Sequence, residues 1–470
     1  GLLYPLSLVL YILPLPGSFD LLVVLHYPLA GLGMALLLRA WSYSWPASAM
    51  GAVAFMLGGF FVSIGNFTNN LQTVAWLPWL FLAWNRFLEH RRIREVLIFS
   101  MLCGVAFLGG EPQLLALGLA LVFLHGLFRV EAGELSRPRH ILGFGLAGVL
   151  ALGLVSVQLI PFAEYIGESV RTLPIDLEYA AARSIEPRGL WRLLVPPPLQ
   201  AGAHGFTTRY LASESVPWLL SLYGGGLVLT LAFVGWLRPR SARWAAFWGV
   251  TAAAGVVLAL GQHSPVYRAL FDWVPAFRPF RYPEKLTLLT AMAVPIVAAA
   301  GMDRWLEARS AERPAARRTV GVAVAVAVGL YAAAAVWLRL DDGVFARACA
   351  GTFEGALLCG DPSGAAALYA AVLGRVAVLI GAFGAITWLH LTGRLRRSVA
   401  VAAVISLAAA DLGLGHRDVN PSVESSVYVE PPWAARTLDG LAENRQEHRF
   451  RGSPHMAAMG SIVMVHGAWE

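Results

Sequence analysis

The sequence predicts an all-α polytopic membrane protein with about twelve transmembrane helices, extracytoplasmic loops and a short outer C-terminal tail. Three observations carry that prediction. Only 14% of the 470 residues are charged, whereas a soluble chain carries about 25%. Hydrophobic residues make up 57%, and the mean hydropathy is +0.61. The apolar residues also fall into runs matched to a bilayer core about 30 Å thick, which takes about 20 residues per helix. So little charge cannot cover a water-facing surface. That excludes an ordinary cytosolic enzyme, a disulfide-stapled secreted module and a disordered scaffold.

Residues 1–17, GLLYPLSLVLYILPLPG, are apolar but hold three prolines. They read as an embedded or interfacial outer segment more than a full span. Candidate spans follow at 18–39, 46–66, 72–87, 95–110, 112–129, 140–160, 216–237, 243–261, 286–304, 319–338, 365–390 and 398–414. The transmembrane domain is thus 18–414, with long loops at 161–215, 262–285 and 339–364, and residues 415–470 form a tail expected to be incomplete.

Orientation follows from the arginines. All but one of the 36 basic residues are arginine, the exception being Lys285. One set of short linkers holds Arg39; Arg86, Arg91, Arg92 and Arg94; Arg129, Arg137 and Arg139; and Arg238, Arg240 and Arg243. Arg304, Arg309, Arg313, Arg317, Arg318, Arg394, Arg396 and Arg397 continue the set. Positive charge in short loops marks the cytoplasmic side. The long loops and the tail then lie outside. The net charge of +7 is topogenic, and a nucleic-acid partner is not needed to explain it. The first span runs from outside to inside, so a further span is expected upstream of Gly1.

On this topology Cys349 and Cys359 share an outer loop, where an oxidising periplasm permits a disulfide. Cys103 reads as a small buried apolar residue. No CxxC or HExxH pattern occurs and the 11 histidines are scattered, so no metal site is predicted and a divalent cation has no motif to support it.

Polar residues at membrane depth are expensive, and each is a candidate site. The turn Asn66-Phe67-Thr68-Asn69-Asn70-Leu71-Gln72 offers four amides that both donate and accept, as sugar hydroxyls require. A capped polar turn accounts for it equally. Gly109-Gly110-Glu111-Pro112-Gln113 joins two short spans, and such a break can line a cavity below the membrane surface. Glu111 is then a carboxylate in a low-dielectric pocket, or an interfacial group reaching water. Glu164 is an acid/base candidate, although a salt bridge to Arg171 is the simpler role for both.

The densest signal is the loop 262–285. Arg278, Arg281 and Lys285 crowd a span start on the side where positive charge is normally depleted. Phe271, Trp273, Phe277, Phe280 and Tyr282 accompany them in the same loop. Cations beside a helix N-terminus suit a lipid phosphate; snorkelling anchors are the alternative. Asp20 sits in a first helical turn and suits the helix dipole. His26 reads as a packed, hydrogen-bonded histidine. Arg375 is either deep in its span or in an outer turn, and Asp411 has no assignable partner.

These stretches resemble the YfhO family of bacterial membrane proteins, a branch of the GT-C glycosyltransferase-like superfamily. The resemblance rests on GLLYP (1–5), HYPLAGLGMALLLR (26–39), GGEPQ (109–113) and QLIPFAEYIGESVR (158–171). It continues through LALGQHSPVYRALFDWVPAFRPFRYPEK (258–285) and NPSVESSVYVEPP (420–432). It implies a GT-C-like enzyme of the bacterial inner membrane. Such an enzyme takes a sugar from a polyprenyl-phosphate carrier and passes it to a lipid-linked or polymer acceptor at the outer face. By that analogy Arg278, Arg281 and Lys285 bind the donor phosphate. Asn66, Asn69, Asn70, Gln72, Glu111, Gln113, Glu164 and Arg171 contact sugar or acceptor. The catalytic carboxylate of such enzymes usually lies in the first outer loop, which in this family precedes the stretch resembling GLLYP. The catalytic residue is therefore expected upstream of Gly1. A non-catalytic GT-C-fold subunit of a membrane complex is the alternative, and a transporter or lipid flippase is third.

Overall fold

The computed structural model describes residues 3–131, 137–168, 175–197, 217–309, 314–340 and 362–420. Among these every regular element is helical. In lipid each backbone N–H and C=O must find its partner within the protein, and a helix achieves this segment by segment. The first half comprises α1 (Gly17–Ala40), α2 (Trp45–Met56), α3 (Thr68–Val74), α4 (Leu77–His90), α5 (Ile93–Leu108), α6 (Pro112–Glu131) and α7 (Arg137–Gly167). The second comprises α8 (Gly226–Leu237), α9 (Ala242–Ala259), α10 (Pro265–Trp273), α11 (Leu288–Glu307), α12 (Pro314–Leu340), α13 (Pro362–Leu391) and α14 (Arg397–His416).

Nine stretches among the described residues are long and apolar enough to cross a membrane. They are α1, α2 with its continuation to Asn66, α6, α7, α9, α11 with its lead-in from Pro283, α12, α13 and α14. This is a multi-pass helical membrane protein. The other three expected spans, 72–87, 95–110 and 216–237, are helical but shorter. The first is divided at Ala75 and Trp76 between α3 and α4, where Pro78 supplies no N–H to continue the ladder. α5 has 16 residues and α8 only 12. α8 starts ten residues later than the apolar run because Gly225 takes φ +86, which a continuing helix cannot include.

Helix starts follow local chemistry. The Ser44, Ser241 and Ser264 hydroxyls accept from the backbone N–H groups of Ala47, Trp244 and Tyr267, capping α2, α9 and α10. Ahead of α1, Tyr4 donates to or accepts from His26 Nε2 at 2.7 Å, and Trp76 Nε1 donates to the same hydroxyl at 2.9 Å. His26 is thus packed and hydrogen-bonded, as its sequence context suggested. Cys103 lies buried in the core. Cys349 and Cys359 lie outside the described residues.

α11 is the central helix. Of its most apolar window 78% is buried, against 11% for α7. α7 instead presents Leu142, Val149, Val157 and Ile160, each at least two-thirds exposed, a surface suited to hydrocarbon and costly in water. Without a hydrophobic drive between helices in lipid, close approach must come from small residues. Gly235 of α8 and Gly301 of α11 meet backbone to backbone: a Cβ on Gly301 would overlap the Leu231 carbonyl, and one on Gly235 the Val297 carbonyl. On another side, a Cβ on Gly51 of α2 would stand 3.2 Å from the Pro295 oxygen.

The bundle has two chemically distinct ends. At one, Arg240 Nη1 donates to the Trp41 carbonyl at 2.8 Å and Arg304 Nε to the Arg238 carbonyl at 2.9 Å. Ser44 there bonds to Asp303, and Arg129 to Asn85. The linkers after α1 and α8 and the last turn of α11 therefore gather together. At the other end lie the turns around Asn69, Glu111 and Lys285. Asp411, near that end of α14, accepts from the Tyr223 hydroxyl at 2.8 Å and from Leu227 N at 3.3 Å, the partners its sequence did not disclose. Arg375 falls mid-helix in α13, with its Nε buried.

Replacing Gly301 with leucine is expected to destabilise the detergent-solubilised protein by about 1–3 kcal/mol or more through overpacking. Gly321→Leu, at a site with open space around its Cβ, should be tolerated. Thermal unfolding of the two variants side by side tests the seam.

Candidate functional site

The segment Tyr282-Pro283-Glu284-Lys285 leads into the central helix. Pro283 opens a 3₁₀ turn over Pro283–Thr287, its fixed φ being suited to a first helical position. Tyr282 before it holds φ +65, an uncommon conformation for a residue with a side chain. It is held there by its own N–H, which donates to the Ala180 carbonyl at 3.2 Å. The turn directs two consecutive charged side chains to two different partners.

Lys285 Nζ donates to Glu111 Oε1 at 2.8 Å and to Gln113 Oε1 at 3.3 Å. Glu111 Oε2 accepts from Asn69 Nδ2 at 3.2 Å. The backbone N–H of Glu111 donates to Thr73 Oγ1 at 3.3 Å, and Thr73 in turn donates to the Ala106 carbonyl at 3.1 Å. Glu111 reaches this position because Gly110, at φ +99, turns the chain sharply between α5 and α6. The Lys285 and Glu111 side chains are only 11% and 10% exposed. Trp218 presents its ring 4.9 Å from Nζ and is itself stacked on Phe67 at 4.7 Å, a cation–π contact strengthened by exclusion of water.

Glu284 faces the other way. It accepts from Arg192 Nη1 at 3.1 Å and from Leu219 N at 3.0 Å, while Arg192 also donates to the Leu219 carbonyl. Two buried ion pairs thus converge on adjacent residues. Between them they fasten the turns at Asn69, Glu111, Arg192 and Leu219 to the head of α11.

Arg281 stacks on two rings, its Cζ 3.9 Å from the Tyr179 centroid and 4.5 Å from that of Tyr282. Its Nη1 donates to the Tyr179 hydroxyl at 3.0 Å, and its Nε is buried with no hydrogen-bond partner among the described residues. Gln113 Nε2 donates to the Pro279 carbonyl at 2.5 Å. Gln113, Phe280, Arg281, Tyr282 and Lys285 line a cavity of about 10 Å³, room for one water. The Tyr267 hydroxyl supports this wall from behind, 3.3 Å from the Ala180 carbonyl and 3.5 Å from that of Phe280. Burial pushes its phenol up to about 12, so it stays a donor across the physiological range.

Of the residues singled out in the sequence, Asn69, Glu111, Gln113 and Lys285 come into direct contact, and Arg281 lines the same small cavity. Arg278 does not join them: it is exposed and donates to the Phe271 and Asp272 carbonyls of its own loop, both at 3.2 Å. Asn66 turns towards the end of α14, donating to the Val419 carbonyl at 3.4 Å. Asn70 and Gln72 are buried on α3, and Glu164 is exposed on α7. Arg171 lies outside the described residues. Sequence reasoning missed Arg192, Glu284 and Trp218. The available signal was Glu284 itself, a carboxylate beside the only lysine at a span start. Among the described residues no group of three or more His, Cys, Asp or Glu side chains is placed to hold a metal ion. No family model, curated protein or solved structure matches this chain.

Removing the cation while keeping the carboxylate tests the pair. Lys285→Met is expected to cost about 3–5 kcal/mol, because Glu111 is left as an uncompensated buried charge. The double variant Lys285→Met with Glu111→Gln should recover most of that loss. A double-mutant cycle on unfolding in detergent measures the coupling.

Proposed function

We propose that the chain is a GT-C-like glycosyltransferase of the bacterial inner membrane. It moves a sugar from a polyprenyl-phosphate carrier to a cell-envelope acceptor at the outer face. The observation that carries this reading is the grouping of Lys285, Glu111, Gln113 and Asn69 beside Arg281 at one end of the bundle. A lipid-linked sugar phosphate needs cations for its phosphate and amide or carboxylate oxygens for its hydroxyls, and this grouping holds both. The reading takes the bundle as twelve crossings. The three shorter helices are then spans whose irregular ends are shielded from lipid by protein.

In this reading Arg281, held against two tyrosine rings, offers its guanidinium to the phosphate. Lys285 has three N–H donors, and two have named partners, Glu111 and Gln113. As the sugar–phosphate bond breaks, negative charge grows on the departing phosphate oxygen. Fixed cations in a water-poor site stabilise that charge without reorganising. Glu111 serves to hold Lys285 and Asn69 in place, and the acceptor's general base is assigned to none of these residues.

One observation favours a second reading, a non-catalytic subunit of the same fold in a membrane complex. Glu111 and Lys285 neutralise each other, as a purely structural fastener would. Transfer assays on the full protein separate the two. Arg281→Ala is expected to lower transfer from a polyprenyl-phosphate sugar about a hundredfold, and Lys285→Ala to lower it as well, with membrane insertion intact. Wild-type rates in both variants would refute the phosphate assignment. A folded wild-type protein without transferase activity that co-purifies with partners in fixed stoichiometry would establish the second reading.

A further inference from the structure

The outer half of the central helix borders a larger cavity, which the proposed reaction does not use. Its volume is about 210 Å³. Phe55 and Phe60 reach it from α2 and its continuation, Leu222 from the segment before α8, Leu229 from α8, and Ala291 and Val294 from α11. Among the described residues its lining holds three polar side chains, Thr287, Thr290 and Tyr223. Each hydroxyl already donates within the protein, to the Glu284 carbonyl at 2.7 Å, the Ala252 carbonyl at 2.8 Å and Asp411 Oδ1 at 2.8 Å. A buried water needs two to four polar partners, whereas an apolar space of about 150 Å³ stays dry and takes up hydrocarbon.

The cavity continues into surface that faces lipid. α2, α9 and α11 belong to stretches able to cross a membrane. α8 and α9 both pack on α11 but scarcely touch each other, which leaves a groove between them with α11 as its floor. Leu229, Phe233, Trp236 and Leu237 share one face of α8, at offsets of four, seven and eight residues from the first. Leu229 lines the cavity, and the other three are exposed. Trp236 crosses the groove at its far end, where its Nε1 stands 3.5 Å from the place a Cβ on Gly249 of α9 would take. From Leu229 to Trp236 the groove is about 10 Å long, at 1.5 Å per residue. An empty cavity would leave its lining without van der Waals partners on one side. Hydrocarbon meets this groove at the concentration of the bilayer itself, so mass action favours a filled cavity.

We propose that the groove and cavity hold one acyl chain of a membrane phospholipid, which completes the packing between α8, α9 and α11. The test uses the full chain in nanodiscs of phosphatidylethanolamine carrying a diazirine on its acyl chain. Exchange into unlabelled lipid is followed by irradiation and mass-spectrometric mapping. Label at Leu229 and Val294 is expected to persist after label at Val149 and Val157, exposed on α7, has exchanged away. Ala291→Phe and Ala54→Phe each place a ring in the cavity and should abolish the persistent label, with thermal unfolding establishing that each variant is folded. Where a variant does not fold, the wild-type comparison with α7 decides. Loss of label from Leu229 and Val294 as fast as from α7 would overturn the proposal, and so would unchanged persistence in either folded variant. A parallel arm adds a polyprenyl phosphate bearing the same diazirine. Its displacement of the phospholipid from these residues would overturn the acyl assignment in favour of an isoprenoid chain.

Discussion

The structure depends on burying charge at the head of its central helix. A charged side chain in a low-dielectric setting is tolerated only with a partner and with its remaining hydrogen bonds satisfied. Glu284 and Lys285 meet that condition in opposite directions. Glu284 draws in Arg192 and the Leu219 backbone, and Lys285 draws in Glu111, Gln113 and through them Asn69. Segments distant in sequence are thereby tied to one turn. Apolar packing could not select that arrangement, because hydrocarbon side chains are as content against lipid as against one another. Charge pairing makes the register of these turns specific.

The same constraint explains what could be read from the sequence. Helix length and apolarity were legible because the bilayer demands both of every crossing, and α1, α6, α9 and α14 lie where the apolar runs place them. The start of α8 was not legible. An apolar run says nothing about backbone direction, and Gly225 turns the chain well inside it. Glu111 and Lys285 were conspicuous separately, one as a carboxylate between short spans, the other as a cation on the wrong side of the charge rule. Their partnership was hidden by a sequence separation of 174 residues. Arg192 drew no attention because charge is unremarkable in a long loop; only the fold shows that it is buried.

The two ends of the bundle solve opposite electrostatic problems. One buries two ion pairs, Lys285–Glu111 and Arg192–Glu284, and leaves room for a single water beside Arg281. The other gathers Arg129, Arg240 and Arg243 around an open cavity, with tyrosine and phenylalanine rings against two of them. Ring stacking fixes where a guanidinium points without cancelling its charge.

The glycine contact between α8 and α11 carries a mechanical consequence. Two helices touching through backbone atoms have no side-chain cushion to shear against, so they move as one strut. α11 begins at the Lys285 turn and ends near Asp303 and Arg304, beside the arginine linkers. Its 20 residues at 1.5 Å each give a span of about 30 Å. The strut therefore works as a ruler across the bilayer. It sets the separation of the two polar ends and leaves any relative motion to the helices packed around it.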